Sequence, residues 1–330
     1  MFSFPLSILD LAAVAKGESI AASFAGSVRL AQRAERAGYE RVWYAEHHNI
    51  SSIASSATAV LIAHIAANTE RIRVGAGGIM LPNHSPLQIA EQFGTLETLH
   101  PGRIDLGLGR APGSDEPTAR ALRRNPAAAE RFPDDVLELQ GLLGDESPLP
   151  GIRAIPGKGT HVPLYILGSS LFGAELAAML GLPYAFASHF APAALHDAIA
   201  IYRERFKPSA QLQTPYVIAG VGVIAADTPE DAAKQLEATR RVRAKAIFSR
   251  GDRRLSDEEV EALLHSPQAA MVDEMLTHTA IGTADEAAIY LERFQQQTSA
   301  DELITVHYND SVENRLRSVE LLADAALVSS

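Results

Sequence analysis

The 330-residue chain contains no cysteine, which excludes disulfides, zinc–thiolate sites and thiol nucleophiles. It also lacks a basic tract. Lys and Arg number 29 against 40 Asp and Glu, a net charge of −11, so the positive face that a nucleic acid requires is missing. The four cations Arg240, Arg241, Arg243 and Lys245 fall in one helical stretch and read as a solvated helix face. No apolar run approaches the roughly 20 residues of a membrane span. The amino-terminal MFSFPLSILDL has no basic residue ahead of its apolar stretch, and Asp10 interrupts it, unlike a secretory signal. These absences predict a soluble, cytoplasmic protein with neither nucleic acid nor membrane as partner.

What is present is enough apolar residue, 47% of the chain, to bury a large core. Short apolar runs alternate with longer amphipathic stretches. Strands are predicted at Pro5–Leu9, Arg41–Tyr44, Ile72–Ala76, Ile104–Leu108, Leu164–Leu167, Tyr184–Ala187, Tyr216–Ile224 and Glu302–Val306. Each is followed by a helical pattern, with Gly38 and Gly181 standing where a C-cap glycine belongs. Eight such units are the count of a (β/α)₈ TIM barrel, with an open doubly wound α/β sheet as the alternative. Two segments exceed loop length: Ala111–Pro163 after the fourth strand, and Phe248–Thr279 after the helix of the seventh. Such excursions on a barrel are lids or pocket walls. Without an internal repeat or a low-complexity linker, residues 1–330 read as a single domain.

The glycine clusters fail as nucleotide motifs. VGAGGIM has Met80 where the third glycine of G-x-G-x-x-G belongs, GLGRAPG has Pro112 there, and PGKGT lacks the upstream glycine of a P-loop. The first two do fall at C-terminal strand ends, the active face of a barrel. There too lies AEHHN. Adjacent residues of an extended strand point opposite ways, so His47 and His48 cannot share a metal, and no metal site is expected. A histidine at such a strand end is a candidate acid–base group, since imidazole titrates near neutral pH; Glu46 either orients it or closes a salt bridge. Gly168-Ser169-Ser170 ends the fifth strand and opens a helix. The two hydroxyls and the helix N-terminus read as an anion site, or more simply as an N-cap, with Arg110 of the neighbouring strand as the matching cation.

Taken together, RLAQRAERAGYERVWYAEHHN, RIRVGAGGIMLPNHSPLQIAEQFGTLETLHPGRIDLGLGRAPGSD, LGSSLFGAELAAMLGLPYAFASHFAP, VGVIAADTPEDA and ADELITVHYND resemble the flavin-dependent monooxygenases related to bacterial luciferase, in particular their uncharacterised bacterial subgroup. The resemblance runs from about residue 29 to residue 323. It implies a (β/α)₈ barrel that uses reduced FMN, delivered by a separate flavin reductase, and O₂ to oxidise a small organic substrate through a flavin hydroperoxide. The FMN phosphate maps onto Arg110, Ser169 and Ser170, with backbone from Leu167, Gly168 and Gly173. A non-proline cis peptide beneath the flavin ring maps onto Gly77–Gly78, and the active-site histidine onto His47, with Glu46 beside it. Leu9, Asp10, His84 and His189 are the candidate substrate-pocket residues, because each ends or follows a strand. Gly173 replaces the hydroxyl residue, and Gly109 the cysteine, that relatives carry. The family also implies a homodimer through the helices beside the second and third strands. Two other readings stay open: a hydride-transferring oxidoreductase that uses a deazaflavin, and a non-catalytic flavin-binding protein on the same barrel.

Overall fold

A computed structural model describes residues 2–111, 115–249 and 255–326; Pro112 and the Arg250–Arg254 part of the second long segment lie outside them. Nine strands occur among the described residues: β1 (Leu6–Asp10), β2 (Arg41–Tyr44), β3 (Arg73–Met80), β4 (Ile104–Gly109), β5 (Leu164–Gly168), β6 (Tyr184–Phe186), β7 (Val217–Ala225), β8 (Thr279–Gly282) and β9 (Glu302–His307). All pair in parallel, and β1 to β7 with β9 close a ring, β9 lying between β7 and β1. This is a (β/α)₈ barrel, and the open doubly wound sheet is ruled out.

The helices are α1 (Ile20–Ala37), α2 (Thr58–Ala67), α3 (Pro86–Leu99), α4 (Glu116–Ala121), α5 (Phe132–Leu143), α6 (Leu171–Leu180), α7 (Leu195–Arg205), α8 (Pro229–Phe248), α9 (Asp257–Leu264), α10 (Ala269–Glu274), α11 (Ala284–Thr298) and α12 (Val312–Ala326). Local chemistry sets their ends. The Ser19 hydroxyl caps the start of α1, and Gly38 closes it at φ 86°, a conformation in which a Cβ is costly. Strand alternation divides the core. Leu6, Ile8, Val42, Tyr44, Ile104 and Leu106 face the helices, while Leu9, Trp43, Tyr165, Ile218 and Ile304 fill the barrel.

The amino-terminal end of the barrel is closed by charge. Arg41 donates to both Glu302 oxygens at 2.9 and 3.0 Å, and to Asp105 and the Tyr165 hydroxyl at 2.9 Å. Ser7 and Tyr216 donate to Glu302, and Trp43 and Arg73 to Asp105. Burial alone would lower the pKa of Arg41, but Glu302 and Asp105 more than reverse that and hold the guanidinium charged. The two arginines balance the two carboxylates, which is what permits four charges at this depth.

The strand pattern departs from expectation in two places. β3 continues through the glycines that had read as its terminating turn, because a register shift against β4 between Ala76 and Ile79 absorbs the irregularity. β8 was not foreseen. β7 has only two edges, and β9 holds one from Ile218 to Val223. The other belongs to β6 at Val217–Ala219 and passes to β8 at Gly222–Ala225. Thus β6 stops after three residues and the second insertion takes over the wall. That insertion builds a small core of its own, Val260, Leu264, Val272 and Leu276 on Ala244 of α8. The cations of α8 are therefore not a solvated face: Arg240 pairs with Asp273, Arg241 with Glu261 and Lys245 with Asp257, tying α8 to α9 and α10. No described helix is long and apolar enough to cross a membrane.

Candidate active site

The C-terminal ends of β2 to β7 bring most of the expected residues to one mouth. Within β2 the alternation turns Arg41 and Trp43 into the barrel; beyond it Glu46 reaches the turn after β3, and His47 lies near enough to His189 for its charge to act there. Glu46 is buried, and its carboxylate accepts from His48 Nε2 at 2.9 Å, His84 Nε2 at 2.9 and 3.0 Å, Asn83 Nδ2 at 3.1 Å and the Met80 backbone N–H at 2.9 Å. Burial alone would raise its pKa; the hydrogen bond and charge of His84, the His48 bond and the Met80 N–H outweigh it and hold the group below the ordinary value. Glu46 is thereby a clamp on the end of β3, and His84 belongs to that clamp.

Leu9 and Asp10 separate for the same reason of alternation. Leu9 lies inside the barrel against Trp43 and Gly77. Asp10 faces the helix layer, where Ser27 donates to it at 2.6 Å, Arg315 at 2.8 Å and the Ala12 N–H at 3.0 Å. It is a pin between β1, α1 and α12 and does not line the mouth, contrary to expectation.

The peptide bond between Gly77 and Gly78 is cis. Their strand lies so close to β4 that a Cβ on Gly107 would stand 2.3 Å from the Ala76 carbonyl oxygen. Leu167 packs over this floor: a Cβ on Gly107 would lie 2.6 Å from Leu167 Cδ1, and one on Gly78 3.2 Å from Cδ2. The result is a backbone wall whose glycines are packed against Leu9, Trp43 and Leu167 and admit no larger residue.

Beside it, Ser170 stands at the N-cap of α6 in an extended conformation, and its side chain makes no cap hydrogen bond. The capping reading therefore fails for Ser170, and its hydroxyl and the first-turn N–H groups remain for a ligand. Ser169 and Ser170 are exposed, and Arg110 holds its guanidinium carbon 4.0 Å above the Phe172 ring on the same turn. A cation, two hydroxyls and a helix N-terminus at one corner suit a phosphate. Gly173 is buried, and a Cβ there would meet Gly168 Cα and Tyr184 Cε2 at 3.3 Å; the ring of Tyr184 accounts for the small residue at this position. The wall and the anion corner together fit a phosphorylated planar cofactor.

His189 closes the opposite side. Where β6 leaves the wall, the following loop lays this imidazole across β7: a Cβ on Gly220 would stand 2.5 Å from His189 Nδ1. The side chain is 8% exposed and Nδ1 has no hydrogen-bond partner. Burial first, then the charges of Arg243 and His47, push its pKa down to about 3, so it is neutral. Tyr308, just past β9, donates to the His189 carbonyl at 3.0 Å, and Arg243 stacks on its ring at 4.7 Å. Neither Tyr308 nor Arg243 was singled out from sequence. Tyr308 continues the inward phase of Glu302, Ile304 and Val306, a signal that was available; the position of Arg243 depends on how α8 packs.

A closed parallel barrel with these groups gathered at its C-terminal mouth defines a class, the TIM-barrel proteins that carry their sites at the strand ends. Within it the chain belongs to the luciferase-like monooxygenase family, whose model matches residues 4–301. It is 46% identical to "Luciferase-like monooxygenase" of Escherichia coli K12, over 96% of each chain. It is 33% identical to "N-acetyl-S-alkylcysteine monooxygenase" of Bacillus subtilis, over 98% of each. Among solved structures apo-MsnO8 superposes at a TM-score of 0.86 with 36% identity, covering 98% of both chains. Family and fold support an enzyme, a monooxygenase.

Proposed function

We propose that the chain binds reduced FMN at the barrel mouth and uses O₂ to oxygenate a small organic substrate there. The observation that carries the reading is the junction of the glycine wall at Gly77–Gly78 with the anion corner of Arg110, Ser169 and Ser170. When bound, reduced FMN supplies the electrons that activate O₂. Arg110 and the first turn of α6 hold the phosphate, and Leu167, Gly168 and Gly173 shape the backbone beside it. His47 holds or takes up a proton at the reacting face, the role an imidazole serves. Glu46, His48 and His84 position the end of β3 under the ring. Helices α9 and α10 shield the mouth from water. As the family resemblance implies, a separate reductase delivers the reduced flavin, and a second copy of the chain packs on α2 and α3, where Val60 and Leu99 are exposed. By analogy with the named relative, the substrate class is an organic sulfide such as an N-acyl S-alkyl amino acid.

Anaerobic titration with reduced FMN, followed by rapid mixing with oxygen, tests the proposal. Saturable binding and an oxygen-dependent absorbance transient that His47→Ala slows about 100-fold, with FMN affinity kept, are expected. Binding without any reaction with oxygen would favour the deazaflavin reading. No binding sinks both.

A further inference from the structure

Two inward positions of β7 carry no side chain. Ile218 fills the barrel, and by strand alternation Gly220 and Gly222 face the same way beyond it. Rings from elsewhere take the room they leave. A Cβ on Gly220 would stand 2.5 Å from His189 Nδ1, and one on Gly222 2.6 Å from Tyr308 Cε2. His189 thus lies on the inner wall of the mouth. The Tyr308 hydroxyl holds its carbonyl at 3.0 Å, and Phe190 packs edge-on against its ring at 5.0 Å.

These surroundings decide which ring nitrogen carries the proton. Nδ1 is buried and has no hydrogen-bond partner among the described residues. The Gly220 Cα–H that stands in place of a Cβ points at it. A lone pair accepts such a contact weakly, whereas a buried N–H without an acceptor is rare and costly. Nδ1 is therefore the bare nitrogen, and Nε2 bears the hydrogen. The two nitrogens of an imidazole point to different sides of the ring. With Nδ1 against β7, the Nε2–H is turned off the wall and into the barrel. Burial, then the charges of Arg243 and His47, keep the ring neutral down to about pH 3.

We propose that His189 determines specificity by donating its Nε2–H to an uncharged carbonyl oxygen of the organic substrate. This rests on the oxygenase reading only in taking the mouth as the substrate site. The ring offers no charge to a carboxylate, and its one lone pair is spent on the wall, so an ammonium finds no acceptor. An amide or ketone oxygen is the group it fits. The substrate class is thus a neutral carbonyl compound, to which N-acylated sulfides belong.

Nuclear magnetic resonance of the full chain, labelled with ¹⁵N-histidine, tests this without turnover. The signals lost in His189→Phe identify the residue. They are expected to show the Nε2–H tautomer, unchanged from pH 5 to pH 8. N-acetyl-S-methylcysteine methyl ester should shift the Nε2–H resonance, and methyl propyl sulfide, which has the sulfur but no carbonyl, should not. The parent should prefer the ester, and His189→Phe should cut that preference about tenfold, the upper range of one neutral hydrogen bond. Gly220→Ala, which displaces the ring without removing it, should do the same. An Nδ1–H tautomer, no shift with the ester, or an undiminished preference in a folded His189→Phe would each overturn the proposal. If a melting curve shows that variant unfolded, Gly220→Ala and the parent's tautomer and shift decide. Titration with reduced FMN is read separately, so failure of the oxygenase reading cannot be mistaken for failure of the carbonyl site.

Discussion

Glu46 grips His84 with both oxygens, at 3.0 and 2.9 Å, across the turn that follows β3. With His48, Asn83 and the Met80 N–H it forms one buried knot. Glu46→Gln puts an amide where these donors meet a carboxylate. Hydrogen bonds to charged groups contribute about 1.5–3 kcal/mol, so a loss of about 2 kcal/mol is expected in urea denaturation. An unchanged midpoint would show that the knot does not hold the turn.

Arg110 is oriented by Phe172 before any ligand arrives. Arg110→Met should weaken reduced FMN binding by about 10- to 100-fold, the range of one charge-assisted contact. Riboflavin, which lacks the phosphate, should bind both forms alike. Equal weakening of the two flavins would mean that Arg110 acts on the ring and not on the phosphate.

The charged floor of the barrel predicts a stability effect remote from the chemistry. Glu302→Leu leaves Arg41 and Arg73 facing Asp105 alone, and an uncompensated buried charge costs about 3–5 kcal/mol. Combining it with Arg41→Met should recover part of the loss, since apolar replacement of a whole buried pair is often tolerated. If the double variant is the sum of the singles, the pair is not coupled.

His307 is buried between Thr305 and Ser318, at 3.1 and 2.8 Å, and burial followed by the charge of Arg315 pushes its pKa down to about 3. Neutral when folded, it binds a proton on unfolding below about pH 6.5, its ordinary value. The unfolded chain then holds more protons, so stability is full above that pH and is lost as pH falls toward 3, by about 1.4 kcal/mol per unit. His189 contributes in the same direction. Denaturant midpoints at pH 4, 5, 6 and 7 should fall less steeply in His307→Asn than in the parent; parallel slopes would contradict the assignment.

The eight barrel strands were legible because each is a short apolar run between turn residues. β8 was not, because TAIG has no pattern of its own and becomes a strand only beside Gly222–Ala225, far away in sequence. Asp10 was misplaced because a strand end shows its depth but not its side. The floor network escaped notice although its signal existed: Arg41, Asp105 and Glu302 each break the start of an otherwise apolar strand. Arg243 read as one of a solvated set because helical periodicity cannot tell what a neighbouring strand brings underneath.

The exchange of β6 for β8 along β7 fixes how the second insertion can move. Four residues of β8, Thr279 to Gly282, are laced to β7, so the carboxyl-terminal side of α9 and α10 is fastened to the barrel as a door is to its post. Its other side is fastened by charge, Arg241 pairing with Glu261 and Lys245 with Asp257 between α8 and α9.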